Sequence, residues 1–214
     1  MRVKVCGLTR REDVVLCVSL GIDALGFIFA ESPRQISTEK AAALLEDIPP
    51  FISRVAVVQN PGEKLLMDIL ETGLFDYIQF HGDEERDLLE RCPLKTIKSI
   101  CIEPGQSIRS IEKSIAQYPG ADYYLFDNRT GQKRGGTGKN FDWGIFRYLK
   151  MDKPFILAGG LGPDNIVEAL ETIEMAAIDI NSRIEKRPGI KDGKLLSKTL
   201  ELIEGYRRKN LSGK

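Results

Sequence analysis

Eight short apolar runs alternate with eight longer amphipathic runs along the chain, and no other feature narrows the fold as much. The short runs are Val3–Cys6, Ala24–Phe29, Val55–Gln59, Tyr77–Phe80, Thr96–Ile100, Tyr123–Asp127, Phe155–Ala158 and Ala177–Asn181. They are nearly uniformly apolar rather than alternating, which is how strands read when a parallel sheet is covered on both faces. The helical patterns are Arg11–Leu20, Thr38–Asp47, Glu63–Glu71, Asp83–Arg91, Ile108–Gln117, Asp142–Leu149, Pro163–Leu170 and Lys194–Arg208. Thr9 and Ser37 stand before the first two as capable N-caps, and Pro163 sits near a helix start, where its missing N–H costs little.

Eight βα units in 214 residues lie at the short end of the range for a (β/α)8 barrel. The expectation is therefore an α/β chain forming a single (β/α)8 TIM barrel, one domain over residues 1–214. An open doubly wound sheet is the alternative. It would usually carry a glycine-rich turn after the first strand, and Cys6-Gly7-Leu8-Thr9 has one glycine.

Charge and cysteine usage narrow the function. Lys plus Arg and Asp plus Glu both total 31, so no global basic field is available for nucleic acid or an anionic membrane, and an anion site must be local. Four cysteines without a CxxC pair, and one histidine, argue against a zinc-type metal site. Met1 to Asp13 is charged and does not read as a signal peptide. No stretch approaches the roughly 20 apolar residues of a membrane span. The expected location is cytoplasmic, with reduced thiols. The expected partner is a small-molecule phosphorylated substrate, with monomer and homodimer both left open.

A barrel places its active site at the C-terminal ends of its strands, which selects candidates before any motif is considered. Gly159-Gly160 ends the seventh strand, and glycines there let backbone N–H groups approach a phosphate; a tight turn is the simpler reading. Asp127 ends the sixth strand, where partial burial raises a carboxyl pKa and suits it as a general acid; it also reads as a structural partner of Arg129 or Lys4. Cys6 ends the first strand beside Lys4, and positive surroundings lower a thiol pKa; a small buried hydrophobe is the other reading. His81 is either a catalytic partner of a cysteine or a rim histidine held by a hydrogen bond. Arg34 is either a bidentate clamp for a carboxylate or a solvated loop arginine. Lys133–Lys139, glycine-rich but without P-loop spacing, reads as a cover over the site or as a merely flexible loop.

Taken together, these segments resemble the phosphoribosylanthranilate isomerase family of tryptophan biosynthesis. Six landmarks in order carry the resemblance: Lys4–Thr9; Gly26–Phe29 with Ser32-Pro33-Arg34; Gln79–Glu84; Gly135–Trp143; Leu157–Leu161; and Pro188–Asp192. The resemblance implies an Amadori rearrangement of N-(5-phosphoribosyl)anthranilate without metal or cofactor. It implies Cys6 as general base, Asp127 as general acid and Arg34 at the anthranilate carboxylate. It implies Gly159, Gly160, Asn181 and Ser182 at the phosphate; Lys4, His81 and Arg183 are expected beside them as further substrate-binding residues.

Three segments depart from the family. Asn181-Ser182-Arg183-Ile184-Glu185 stands where the family reads Ser-Ser-Gly-Val-Glu, Val58-Gln59-Asn60 where it reads Phe-Val-Asn, and Asp127-Asn128 where it reads Asp-Thr. An arginine replacing a glycine of positive φ is strained, which suggests a weakened barrel kept for binding a phosphorylated ligand or a protein. Alternatively, the Arg183 guanidinium binds the phosphate itself. The similar histidine-pathway isomerase uses two aspartates, and Cys6 in place of the first argues against it.

Overall fold

A computed structural model describes residues 1–128 and 143–211. Eight parallel strands close into a barrel in chain order. They are β1 (Arg2–Val5), β2 (Ala24–Ile28), β3 (Ser53–Val58), β4 (Tyr77–Phe80), β5 (Lys95–Ile102), β6 (Tyr123–Asn128), β7 (Phe155–Leu157) and β8 (Ala177–Ile180). Around them run α1 (Arg11–Ser19), α2 (Thr38–Leu45), α3 (Glu63–Glu71), α4 (Arg86–Glu90), α5 (Ile108–Ala116), α6 (Ile166–Thr172) and α7 (Gly193–Leu211). β1 closes the barrel against β8, with Lys4 opposite Asp179 and Val5 opposite Ile180.

Two apolar layers explain why the strands read as continuous apolar runs. Val55, Val57, Ile97, Leu125, Ile156 and Ala158 fill the barrel interior together with Cys6. Outward-facing Val5, Leu25, Phe27, Ile78, Phe80 and Phe126 pack under the helices in a second cluster. Each such side chain contributes about 1.5–3 kcal/mol when fully buried, so the two faces stabilise the same strands jointly.

Helix boundaries differ from the sequence pattern where polar side chains have other partners. Ser37 caps α2 by accepting from the Lys40 N–H at 3.3 Å. Thr9 caps nothing: its hydroxyl donates to the Gly189 carbonyl at 2.6 Å, and α1 starts after an uncapped Arg10. α4 begins at Arg86 rather than Asp83. Glu84 is buried there and accepts from the Asn60 and Gly82 N–H groups and from Lys98, which holds the preceding residues out of the helix.

The expected helix Asp142–Leu149 is a 3₁₀ turn over Trp143–Arg147. Its buried residues, Trp143 and Phe146, lie three apart and so share one face at three residues per turn. A hairpin of β9 (Glu185–Arg187) and β10 (Ile190–Lys191) follows a 3₁₀ turn over Ser182–Ile184 and has no counterpart in the sequence reading. Among the described residues no helix is long and apolar enough to cross a membrane.

Candidate active site

The strand ends enclose a cavity of about 280 Å³. Cys6 after β1, His81 after β4 and Asp127 in β6 line it, with Gly159 and Gly160 after β7 and Asn181 and Ser182 after β8. Arg34 reaches it from the loop after β2. Lys4 and Arg183, both anticipated at the substrate, lie outside this lining. The Lys133–Lys139 segment lies outside the described residues. Among those residues no group of three His, Cys, Asp or Glu side chains is placed to hold a metal ion.

Cys6 is buried, and its N–H continues the barrel ladder to the Ile180 carbonyl at 3.0 Å. β2 passes so close that a Cβ on Gly26 would lie 2.9 Å from the Cys6 sulfur and 3.1 Å from its Cα. Glycine at that position leaves the thiol room. Burial pushes the thiol above its ordinary pKa; Lys4 and Lys191 oppose this, and Asp179 adds to it. The expected lowering is therefore reversed, because burial outweighs the two lysines that oppose it.

A buried ion pair explains where Lys4 sits. Its ammonium lies 2.7 Å from Asp179 Oδ2, with side chains 4% and 7% exposed. Burial alone would push this ammonium down, but Asp179 and Cys6 hold it above the usual lysine range. Lys4 is thus the buried counter-ion of Asp179, outside the lining of the strand-end cavity.

Asp127 pairs with neither Lys4 nor any lysine among the described residues; its Oδ2 faces His81 Nε2 at 3.3 Å. The other ring nitrogen, Nδ1, lies 2.9 Å from Ser99 Oγ and 3.1 Å from Gln79 Nε2. His81 is thereby held at the rim between β4, β5 and β6.

Arg34 is gripped along one edge by Glu185, through Nε at 2.9 Å and Nη2 at 2.6 Å. Lys191, itself buried, donates to the same carboxylate at 3.0 Å and to Asn181 Oδ1 at 2.8 Å. Burial would raise the Glu185 carboxyl, but Arg34 and Lys191 hold it below its usual range. Among the described residues Arg34 Nη1 makes no hydrogen bond, so the second edge of the guanidinium is left for a ligand.

Gly159 and Gly160 take φ of +88° and +68°, a left-handed pair that L side chains resist. Their N–H groups donate to no protein acceptor among the described residues. Asn165 shapes the loop, donating to the Gly160 carbonyl at 3.0 Å and accepting from the Gly162 N–H at 2.9 Å. Arg183 lies in the 3₁₀ turn and is not among the non-glycine residues of positive φ, so the anticipated strain is absent. Its side chain lies along the glycine loop, with Nε 3.6 Å from where a Gly160 Cβ would be.

Sequence reasoning missed Glu185, Asp179, Lys191, Gln79, Ser99 and Asn165. A signal was available for one of them. Asp179 is a charge inside an apolar strand run, as is Lys4, and charges almost never enter a core unpaired. Lys191 and Glu185 lay inside or beside a recognised motif, but the hairpin that folds them onto Arg34 had no sequence signature.

A closed (β/α)8 barrel with a thiol, a carboxyl and an imidazole gathered at its C-terminal mouth defines an α/β-barrel enzyme with acid–base side chains. The chain belongs to the N-(5'-phosphoribosyl)anthranilate (PRA) isomerase family, whose sequence model matches residues 3–202. It is similar to the N-(5'-phosphoribosyl)anthranilate isomerase of Petrotoga mobilis, at 46% identity over 98% of this chain and 100% of that one. Similarity to the Legionella pneumophila isomerase is 38% over 96% and 98%.

Among solved structures, phosphoribosyl anthranilate isomerase from Thermotoga maritima superposes with a TM-score of 0.82 at 30% identity, covering 96% of this chain and 99% of that one. A complex of such an isomerase with reduced 1-(o-carboxyphenylamino)-1-deoxyribulose 5-phosphate superposes with a TM-score of 0.80 at 28% identity, covering the same shares.

Proposed function

We propose that this chain performs the Amadori rearrangement of N-(5-phosphoribosyl)anthranilate to the 1-(2-carboxyphenylamino)-1-deoxyribulose 5-phosphate ketone in tryptophan biosynthesis, with Asp127 as general acid and Cys6 as general base. The observation that carries this reading is that both side chains line one cavity with the left-handed Gly159-Gly160 pair. The reduced ketone phosphate held by a related isomerase supports the same ligand class.

Asp127 protonates the furanose ring oxygen; the C1′–O bond breaks, and the anilino nitrogen lone pair forms the Schiff base. Cys6 as thiolate removes the C2′ proton, giving an enolamine that tautomerises to the ketone. No atom is gained or lost, so neither redox nor group-transfer chemistry is required. Each proton-transfer group contributes about 10²–10⁴-fold in rate.

The phosphate meets the free N–H groups of Gly159 and Gly160, with Asn181 and Ser182 opposite. Arg183 adds its charge from the solvent side, and the free edge of Arg34 receives the anthranilate carboxylate. Gripping both ends of the substrate fixes C2′ near the sulfur, using binding energy for positioning.

The weakened-barrel reading rested on strain at Arg183, and its 3₁₀ backbone removes that motive. The test is loss of anthranilate fluorescence on incubation with the substrate, together with restored growth of a tryptophan-requiring isomerase knockout. Purified protein that does neither overturns the proposal.

A further inference from the structure

Among the described residues, the close neighbour placed to govern which Asp127 oxygen carries a proton is His81, 3.3 Å from Oδ2. An ionised carboxylate only accepts hydrogen bonds, so it favours a hydrogen on His81 Nε2. A neutral ring then has a bare lone pair on Nδ1, and whatever faces Nδ1 must donate. Two groups face it: the Gln79 amide nitrogen at 3.1 Å, which can only donate, and the Ser99 hydroxyl at 2.9 Å, which donates or accepts; they are themselves 3.3 Å apart. Gln79 and Ser99 are both buried and face inward from β4 and β5. Water therefore does not compete for these bonds. Neither residue belongs to the proposed acid–base pair.

We propose that Gln79, its amide nitrogen also bonded to Ser99 Oγ, is a positioning residue that locks His81 as the neutral Nε2–H tautomer. The ring then holds Asp127 Oδ2 and leaves Oδ1 as the oxygen that delivers the proton to the substrate. The lock also prevents an alternative that would defeat the acid. An imidazolium beside Asp127 favours the ionised carboxylate, and forming it requires a hydrogen on Nδ1, directed at an amide nitrogen that cannot accept one.

The charges facing the ring among the described residues are Asp127 on β6 and, through space, Asp179 on β8. Asp179 is paired with Lys4 on β1. The ring therefore sees an acidic side and a donor side, and the donor side selects the tautomer.

This inference rests on the isomerase reading for its catalytic consequence, but the tautomer is measurable without turnover. The chain has a single histidine, so long-range ¹H–¹⁵N correlation spectra of untagged, ¹⁵N-labelled protein report on His81 alone. The expected wild-type spectrum is the neutral form protonated on Nε2. Gln79→Leu, which leaves only a hydroxyl able to accept as well as donate at Nδ1, is expected to admit the Nδ1–H form and to lower kcat about tenfold, with KM within about twofold. Ser99→Ala, which leaves the Gln79 amide nitrogen facing Nδ1, is expected to keep the Nε2–H form.

A wild-type ring protonated on Nδ1 overturns the proposal. So does Gln79→Leu with an unchanged tautomer, whatever its kcat. An Nε2–H ring in a protein that turns over no substrate would support the lock while overturning the isomerase reading.

Discussion

Replacing Lys4 with methionine removes the positive half of a sealed ion pair and keeps most of its volume. The two groups are 2.7 Å apart and all but buried. At that separation, with an effective dielectric of about 20, their attraction is on the order of 6 kcal/mol; desolvation offsets part of it. Asp179 Oδ1 already lacks a partner, so no second donor is available once the ammonium is gone. Breaking one side of such a pair costs about 3–5 kcal/mol. Urea unfolding of Lys4→Met should show that loss as a lower midpoint with an unchanged slope. The double variant Lys4→Met/Asp179→Leu should regain most of the stability, since an apolar pair needs no counter-ion. In assays at a temperature where Lys4→Met is still folded, kcat should fall because the Cys6 thiol loses its strongest opposing cation, while KM should hold. A single variant within about 1 kcal/mol of wild type would refute the buried-pair reasoning. A raised KM with unchanged kcat would return Lys4 to the substrate site.

Three further outcomes follow from the same geometry. The productive form, Asp127 protonated with Cys6 ionised, carries one proton between two groups, as does the resting pair, so kcat/KM should fall on the alkaline side as that last proton leaves the thiol. Burial raises this thiol, which puts the fall above the ordinary cysteine value of about 8.5; a fall at or below it in the pH–rate profile contradicts the assignment. Glu185 is held below its usual range, so its stabilisation is present above the unfolded value of about 4.3 and is lost as pH falls through the folded value. Thermal melts of Glu185→Gln should accordingly be lower than wild type at pH 7 and less pH-dependent in acid. Arg183→Ala should raise KM about three- to tenfold with little change in kcat or stability; an unchanged KM would remove Arg183 from the phosphate site.

The barrel was legible because its strands are buried on both faces. Leu125 faces the interior while Phe126 faces the helices, so the run could not alternate. Cys6, Asp127 and Gly159 were legible as candidates because a parallel barrel sends every strand end to one rim. What the sequence did not reveal depends on register. Lys4 meets Asp179 because β1 and β8 align those two residues, and a neighbouring cation looked like an activator until its partner was known. Glu84 was counted into a helix because its amphipathic pattern continues through it, whereas its carboxylate anchors the loop before α4. Ser99 was hidden in an apolar strand, and only its inward position beside Gln79 and His81 gives it a role.

The proposed chemistry depends most directly on Cys6. The decisive measurement is the single-turnover rate of Cys6→Ser with N-(5-phosphoribosyl)anthranilate at saturating enzyme, read as loss of anthranilate fluorescence against wild type. A serine hydroxyl keeps the shape of the site but is a far weaker source of anion, so the rate should drop by about 10²–10⁴-fold in a protein that unfolds like wild type. A rate within a few-fold of wild type would contradict the assignment of Cys6 as the base.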